Sequence, residues 1–270
     1  RRSEFKMDNR RLLNHLSPGH QFVDMDGKNH RITNGNFQLV DYETPEEMSL
    51  VENLIVQFLL TQFQNSQRLA KHVNFLAQEG TISLNYNNNL LLHGCVPVDE
   101  KGKPKAMTFE GRTYQGLSLI NYYEDCIQRA FQDIHCTDCY ATDILWYMWC
   151  GENSSLFGKN TMRTFERYYI EDASSHYEVP NPYYELREDE DFCISLLKEF
   201  KLDGQGYIIN GHTPVKQGEK PIKANGRMLV IDGGFAKPYQ KVTGIAGYTL
   251  VDNSHMVYLV SHYPFTSKED

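Results

Sequence analysis

The clearest pattern in the chain is a set of apolar residues at helical spacing that begins near residue 50. It predicts a helical hairpin over residues 45–80, whose apolar stripe packs into the core of the protein. The stripe consists of Leu50, Val51, Leu54, Ile55, Phe58 and Leu59. Thr44 and Glu47 have the spacing of a capping box, Pro45 suits the first helical turn, and Gly80 follows the last periodic residue.

Two groups of short apolar runs predict strands, one over residues 81–114 and the other over residues 206–270. Each group contains a buried run that stops at a histidine next to a glycine, "LLLHG" in the first and "YIINGH" in the second. Residues 115–205 have mostly helical periodicity, and residues 1–44 are predicted to be a connecting segment with Asp-Gly and Asn-Gly turn signals. This order predicts an α/β layered domain with a large helical insertion between core strands.

Length and charge narrow the class of protein. The 270 residues, 40% of them hydrophobic, are enough for one large domain or two small ones. A net charge of -8 and a pI near 5.7 argue against nucleic acid or an anionic membrane as the main partner. The sequence contains neither a transmembrane run nor a secretory leader pattern, so we expect a soluble, cytoplasmic protein. The opening "RRSEFKMDNRRLL" is typical of an interior segment, which predicts a longer protein.

The six cysteines include one Cys-x-x-Cys pair, Cys136 and Cys139. A structural zinc ion needs two further ligands. His135 and Cys126 are close enough in sequence to be those ligands, so a metal site is one interpretation. The alternative, favoured by a reducing compartment, is a pair of ordinary thiols in a segment that connects helices.

The repeated strand-end histidines, His93 and His212, are the main candidates for chemistry. Loops at one edge of a layered α/β sheet gather ligands, and neutral imidazole binds zinc, iron, nickel or manganese. A hydrolytic metal site also needs carboxylates, for which Asp99 and Asp232 are candidates that spacing alone does not place. The alternative for each histidine is a loop residue that bonds a nearby carbonyl.

Longer motifs carry a resemblance to a known family. The strings "LLLHGCVPVDE", "DILWYMWCGENSSLFGKNTMRTFERYYI" and "GHTPVKQGEKPIKANGRMLVIDGGFAKPYQKVTGIAGYTL" resemble the carboxyl-terminal part of class 3 fructose-1,6-bisphosphatases. The order of "HG", "DILW", "FG" and "GH" is more distantly similar to metallophosphoesterases of the protein serine/threonine phosphatase type. The resemblance implies the carboxyl-terminal half of a layered metallophosphoesterase-like β-sandwich flanked by helices.

The resemblance also implies a reaction and the residues that serve it. His93 and His212 occupy metal-ligand positions of the superfamily, which uses two divalent ions, here expected to be manganese. The implied reaction is hydrolysis of the 1-phosphate of fructose 1,6-bisphosphate to fructose 6-phosphate, a step of gluconeogenesis. Candidate substrate-binding residues near the matched motifs are Lys159, Arg163, Lys216, Lys223, Lys237 and Tyr239. For each basic residue the alternative is a solvated surface charge, and for Tyr239 it is core packing.

Other features depart from the superfamily pattern. The Asp-x-His, Gly-Asp-x-x-Asp-Arg-Gly and Gly-Asn-His-Asp/Glu motifs do not occur, and Cys95 stands where protein phosphatases usually have a second glycine. No arginine precedes "FG" at Ser154-Ser155, so the phosphate clamp is expected to differ. We therefore expect a site completed by an amino-terminal half of the same protein, in a homo-oligomer. The alternatives are a catalytically silent regulatory or oligomerisation fragment and a phosphatase of other specificity.

Overall fold

A computed structural model describes residues 2–7, 11–234, 236–244, 247–253 and 255–262. The chain divides into two compact units, which are described separately. The first unit comprises Arg1–Gly80, Ile127–Asp143 and Asn160–Val179, and the second comprises Thr81–Cys126, Ile144–Lys159 and Pro180–Asp270. The end of the last predicted strand region, residues 263–270, lies outside the described residues.

The first unit contains a β-hairpin where the sequence has its Asp-Gly turn signal. Strands β1 (Phe22–Met25) and β2 (Lys28–Arg31) pair antiparallel across Asp26 and Gly27, whose φ angles are 54° and 73°. Two consecutive residues with positive φ form the type I′ turn that suits the twist of a hairpin, which explains the choice of Asp-Gly. The hairpin belongs to a small apolar cluster formed by Leu16, Val23, Met25, Ile32 and Ile170.

Two helices follow, α1 (Leu50–Asn65) and α2 (Gln67–Glu79). The predicted helix start at Pro45 and the predicted Thr44 capping box are wrong. Instead Ser49 is the N-cap: its hydroxyl accepts from the Glu52 amide at 3.3 Å, while the Glu52 carboxylate accepts from the Ser49 amide at 2.7 Å. Both windows have the capping-box spacing, and the one directly before the periodic residues is the one that forms.

The predicted burial of the α1 stripe is also wrong for the part of the chain that the structure describes. No side chain of α1 is buried; Leu50 is 77% exposed and Phe58 is 63% exposed. In α2 the structure buries Ala77 and leaves Phe75 and Leu76 exposed. Helical spacing indicates that a face needs to be covered, but it does not identify the surface that covers it.

The second unit is built on a mixed sheet of five strands, in the spatial order β3, β4, β7, β9, β8. The strands are β3 (Ser83–Tyr86), β4 (Asn89–Leu92), β7 (Ile208–Asn210), β8 (Ile222–Lys223) and β9 (Met228–Val230). The three central strands, β4, β7 and β9, run parallel, and the edge strands pair with them antiparallel. Because parallel strands end at the same edge of a sheet, the residues that follow β4, β7 and β9 are brought together.

The remaining elements of the described chain are helices and two further hairpins. The hairpins are β5–β6 (Met107–Phe109, Arg112–Tyr114) and β10–β11 (Gly247–Asp252, Val257–His262). The helices are α3 (Gly116–Gln132), α4 (Tyr140–Cys150), α5 (Thr164–Tyr169), α6 (Tyr183–Leu186), α7 (Glu190–Glu199) and α8 (Lys237–Thr243). None of the described helices combines the length and the apolar character needed to cross a bilayer.

Candidate functional site

The two strand-end histidines lie side by side in the second unit. His93 directly follows β4, and His212 follows β7, its parallel neighbour, after one intervening glycine. Their ring centres are 5.0 Å apart and the ring planes meet at 65°. His93 is exposed and His212 is partly buried. The sheet topology therefore produces a pair of imidazoles at one edge.

The His212 ring is held in a defined orientation. Its Nε2 lies 3.2 Å from the carbonyl oxygen of Phe157. A carbonyl oxygen only accepts hydrogen bonds, so Nε2 carries the proton and Nδ1 keeps a free lone pair. Burial, and to a smaller extent the neighbouring His93, lower the pKa of His212, which favours the neutral ring. A neutral imidazole whose second nitrogen bonds a backbone carbonyl is the usual form of a metal-ligating histidine.

The backbone at His212 is strained, with φ of 67° in the left-handed region. Residues other than glycine adopt this conformation at a cost, and such residues concentrate at functional sites. The neighbouring fold holds it in place: the Gly211 amide donates to the His93 carbonyl at 3.2 Å. This bond ties the turn after β7 to the end of β4.

Asn210, the last residue of β7, is completely buried and joins the two strand ends. Its Nδ2 donates to the Gly94 carbonyl at 2.6 Å, and its Oδ1 accepts from the Tyr183 hydroxyl at 3.3 Å. The adjacent Arg187 reaches Thr213 Oγ1 at 2.8 Å. Sequence reasoning missed Asn210 and Arg187; the polar residue inside the apolar run "YIINGH" was the available signal.

The "SSLFG" segment forms the other wall of the site. The Ser154 hydroxyl accepts from the amides of Leu156 and Phe157 at 3.1 and 3.2 Å, which shapes the turn that presents the Phe157 carbonyl. Gly94 packs directly against this segment: a Cβ at Gly94 would lie 2.1 Å from the Ser155 carbonyl oxygen. A side chain at this position would therefore force the Ser155 backbone to move.

The histidine pair fits one divalent metal ion. A metal–nitrogen bond of about 2.1 Å puts an imidazole ring centre about 3.2 Å from the ion, so two rings on one ion lie roughly 4.5–5.3 Å apart. The observed ring separation of 5.0 Å lies in this interval, and the free Nδ1 of His212 supplies a suitable donor. Metal ligation by His93 and His212 nonetheless stays a prediction, because two nitrogens alone do not complete a site.

No group of three or more His, Cys, Asp or Glu side chains suited to a metal ion exists among the described residues. Asp99 is occupied as a turn residue, since its carboxylate accepts from the amides of Lys101 and Lys103, both at 2.9 Å. Asp232 follows β9 and accepts from the Gly234 amide at 3.0 Å. Its negative charge acts on the His212 ring, in the direction that raises the pKa. Of the two candidate carboxylates, Asp232 is thus the one placed at the histidine edge.

The candidate substrate-binding residues of the second unit differ in their surroundings. Lys159 stands near His212, where its charge contributes to lowering the pKa of that ring. Lys223 forms an ion pair with Glu188, so its charge is already matched. Lys216 and Lys237 are exposed, and Tyr239 is 57% exposed, which excludes core packing for the tyrosine. Lys159 is the basic candidate that the structure associates with the histidines.

Arg163 belongs to the first unit and is committed to carboxylates there. Its guanidinium contacts Asp26 at 2.7 Å and Glu166 at 2.9 Å. The side chain lines a cavity of about 360 Å³ together with residues of the β1–β2 hairpin. Two carboxylate partners match its charge, so the structure gives no support to the predicted role of Arg163 in binding phosphate.

The comparisons with known proteins agree with the resemblance seen in the motifs. All of residues 1–270 match the family described as Firmicute fructose-1,6-bisphosphatase. Proteins named fructose-1,6-bisphosphatase class 3 are similar over the whole chain: 50% identical in Oceanobacillus iheyensis, 49% in Streptococcus agalactiae serotype Ia and 47% in Enterococcus faecalis. The chain spans 42–43% of the length of these relatives.

No solved structure matches the chain. The family match covers every residue, and the predicted resemblance to class 3 fructose-1,6-bisphosphatases is confirmed. The chain belongs to the Firmicute fructose-1,6-bisphosphatase family.

Proposed function

We propose that this chain supplies the histidine side of a metal centre that hydrolyses the 1-phosphate of fructose 1,6-bisphosphate. The carrying observation is the His93–His212 pair, 5.0 Å apart between ring centres, at neighbouring parallel strand ends. The relatives that carry the name of this activity are more than twice as long as the chain. The proposal therefore takes the remaining ligands from the part of the longer protein outside the matched segment.

The chemistry follows from what each group offers. Divalent ions, when bound, lower the pKa of a water molecule that attacks phosphorus and neutralise the phosphoryl oxygens. His93 and His212 would hold such an ion through neutral imidazole nitrogens. The Phe157 carbonyl fixes the His212 tautomer, and Asn210 keeps the two strand ends in register. Lys159, close to His212, is our candidate for contacting a substrate phosphate.

We take the centre to hold two ions, with manganese as the first choice, on a layered metallophosphoesterase-like fold in a cytoplasmic enzyme. Neutral imidazole suits manganese as well as several other divalent ions. The parallel arrangement of β4, β7 and β9 supports the layered fold because it collects strand-end residues at one edge.

We also propose that the protein is a homo-oligomer and that α1 forms part of the contact between copies. A helix with a broad apolar face normally packs that face against another surface, and the apolar face of α1 is exposed along its length. Glu52 is its single charged residue, so two copies of α1 meet with little charge repulsion. Its nine exposed apolar side chains offer on the order of 800 Å², about what each partner contributes to a stable interface.

The metal centre is tested in the full-length protein with the variants His93→Ala and His212→Gly. Glycine is chosen at position 212 because it tolerates the positive φ, so loss of binding reports the lost imidazole. Each variant is expected to weaken Mn²⁺ binding at least about tenfold, since replacing even a residue that only orients a metal ligand typically costs this much. Calorimetry with Mn²⁺ and phosphate release from fructose 1,6-bisphosphate measure the two effects.

His72→Ala is the matched control, since His72 is an exposed residue of α2 in the first unit. It should retain both Mn²⁺ binding and phosphate release. Full Mn²⁺ affinity in both site variants would contradict the proposed ligands. Mn²⁺ binding without phosphate release from fructose 1,6-bisphosphate would favour a phosphatase of other specificity. A wild-type protein that neither binds Mn²⁺ nor releases phosphate would favour the catalytically silent regulatory role.

A further inference from the structure

The Cys136-x-x-Cys139 segment belongs to the first unit and stands at the beginning of a helix. Cys139 is the residue before α4, and its carbonyl accepts from the Asp143 amide at 3.1 Å. Its sulfur lies 3.1 Å from Thr142 Oγ1 and 3.3 Å from the Cys136 carbonyl oxygen. The Cys139 thiol donates to the Cys136 carbonyl, so a single turn carries both cysteines. This places two thiols together at the positive end of a helix.

The six cysteines differ in how ready they are to react. Cys136 and Cys139 are partly exposed, whereas Cys95, Cys126, Cys150 and Cys193 are buried. Hydrogen bonds from the Cys136 thiol and then from Thr142 lower the pKa of Cys139, while the pKa of Cys136 is raised by the same pairing. Burial instead raises the pKa of Cys95 and of Cys193 to about 12. A thiolate is the reactive form, so the structure singles out Cys139.

A zinc ion at this pair lacks support from the geometry. A structural zinc site requires four ligands. Among the residues that the structure describes, no third His, Cys, Asp or Glu joins Cys136 and Cys139 in a group that could hold a metal. Two adjacent thiols of unequal pKa without further ligands are instead the arrangement of a dithiol that exchanges with disulfides.

We propose that Cys136 and Cys139 form a thiol–disulfide exchange site that is oxidised by low-molecular-weight disulfides. The Cys139 thiolate attacks one sulfur of the small disulfide, whose S–S bond breaks and releases one small thiolate. Cys136 then loses its proton to water and attacks the Cys139 sulfur, which breaks the mixed disulfide and releases the second small thiolate. Two protein thiols become one disulfide, and one small disulfide becomes two thiols.

The test treats the native chain with glutathione disulfide and follows free thiols and intact mass. The expected result is the loss of two of the six thiols, with a Cys136–Cys139 disulfide in the peptide map and no retained glutathione. Cys136→Ser keeps a hydrogen-bond donor beside Cys139 and should retain one glutathione on Cys139. Cys139→Ser should form its adduct at least about tenfold more slowly, because Cys136 lacks the lowered pKa.

The four buried cysteines are the internal control. They should resist alkylation in the native chain and react after denaturation, which shows that the fold decides the selectivity. The proposal is overturned if the native chain keeps all six thiols, if the disulfide maps to another pair, or if the two serine variants react at equal rates. None of these readouts depends on phosphatase activity, so the outcome is separate from that of the metal centre.

Discussion

A Cβ atom at position 94 would lie 2.1 Å from the Ser155 carbonyl oxygen, whereas one at position 211 would lie 3.4 Å from its nearest neighbour, the His93 carbonyl oxygen. Both glycines stand beside a candidate metal ligand, but they differ in the space around them. We predict that Gly94→Ala lowers the free energy of unfolding by about 1–3 kcal/mol, the usual cost of overpacking, because backbone has to move. Urea denaturation followed by circular dichroism measures this change.

Gly211→Ala is the matched control and should change the unfolding free energy by less than half as much. The same two variants report on the site, since a shift of the Ser155 segment would displace the adjoining Phe157 carbonyl that holds His212. Equal effects of the two substitutions would show that the close approach at Gly94 does not constrain the fold.

The sequence predicts the two histidines but not the residues that orient them. A histidine after a buried strand is recognisable because strand ends are marked by the change from apolar to polar residues. Asn210 completes the same apolar run, and its bond to Gly94 depends on which strand lies next to β7. The positive φ at His212 likewise arises from the turn geometry, so neither feature follows from local pattern.

At the scale of elements, Asp172 links the β1–β2 hairpin to the segment after α5. Its carboxylate accepts from Lys28 Nζ at 2.6 Å and from the Ser174 amide at 3.0 Å. Lys28, followed by Ser174, holds the pKa of Asp172 well below its ordinary value. The folded state therefore binds fewer protons than the unfolded state, and the stabilisation is present above a pH of about 4 and is lost as the pH falls.

We predict that Asp172→Asn flattens the loss of stability between about pH 5 and pH 2.5, because the variant has no carboxylate to protonate. Urea midpoints of variant and wild type should differ at pH 6 and approach each other at the acid end. Lys28→Met should reproduce part of the effect, since it removes the leading partner of the carboxylate. Parallel pH profiles for wild type and Asp172→Asn would contradict the link.

The helical elements show why boundaries are harder to predict than helices. Thr44-x-x-Glu47 and Ser49-x-x-Glu52 both satisfy the capping-box spacing, and they differ only in distance from the first apolar residue. The β1–β2 turn falls on its Asp-Gly signal because Asp26 and Gly27 both adopt the required positive φ, whereas the Asn34-Gly35 signal forms no such turn. A local motif thus indicates where a turn or a helix start can form, and the surrounding chain decides which of the candidate positions is used.

At the scale of the whole molecule, the exposed apolar face of α1 needs a surface that covers it. The predicted apolar stripe is real, but its predicted burial in this chain is wrong, since burial depends on a surface that periodicity does not reveal. The same pattern that indicates a core helix also indicates a contact between copies. Exposed apolar side chains on a helix with one charge favour a contact between copies.

If a second copy covers α1, adding charge to its apolar positions should separate the copies. We predict that the double variant Leu54→Glu and Phe58→Glu has the 31.3 kDa mass of one chain by light scattering, while the wild type has at least twice that mass. Gln57→Glu with Gln64→Glu adds the same charge on the polar side of α1, beside Asn53, and should keep the wild-type mass. Circular dichroism should show unchanged helix content in both, because no side chain of α1 is buried within the chain.

Two outcomes would contradict this contact. A monomeric wild type would exclude a second copy as the cover of α1 and would leave the rest of the longer protein in that role. An oligomer whose mass is unaffected by the apolar substitutions would place the contact between copies elsewhere.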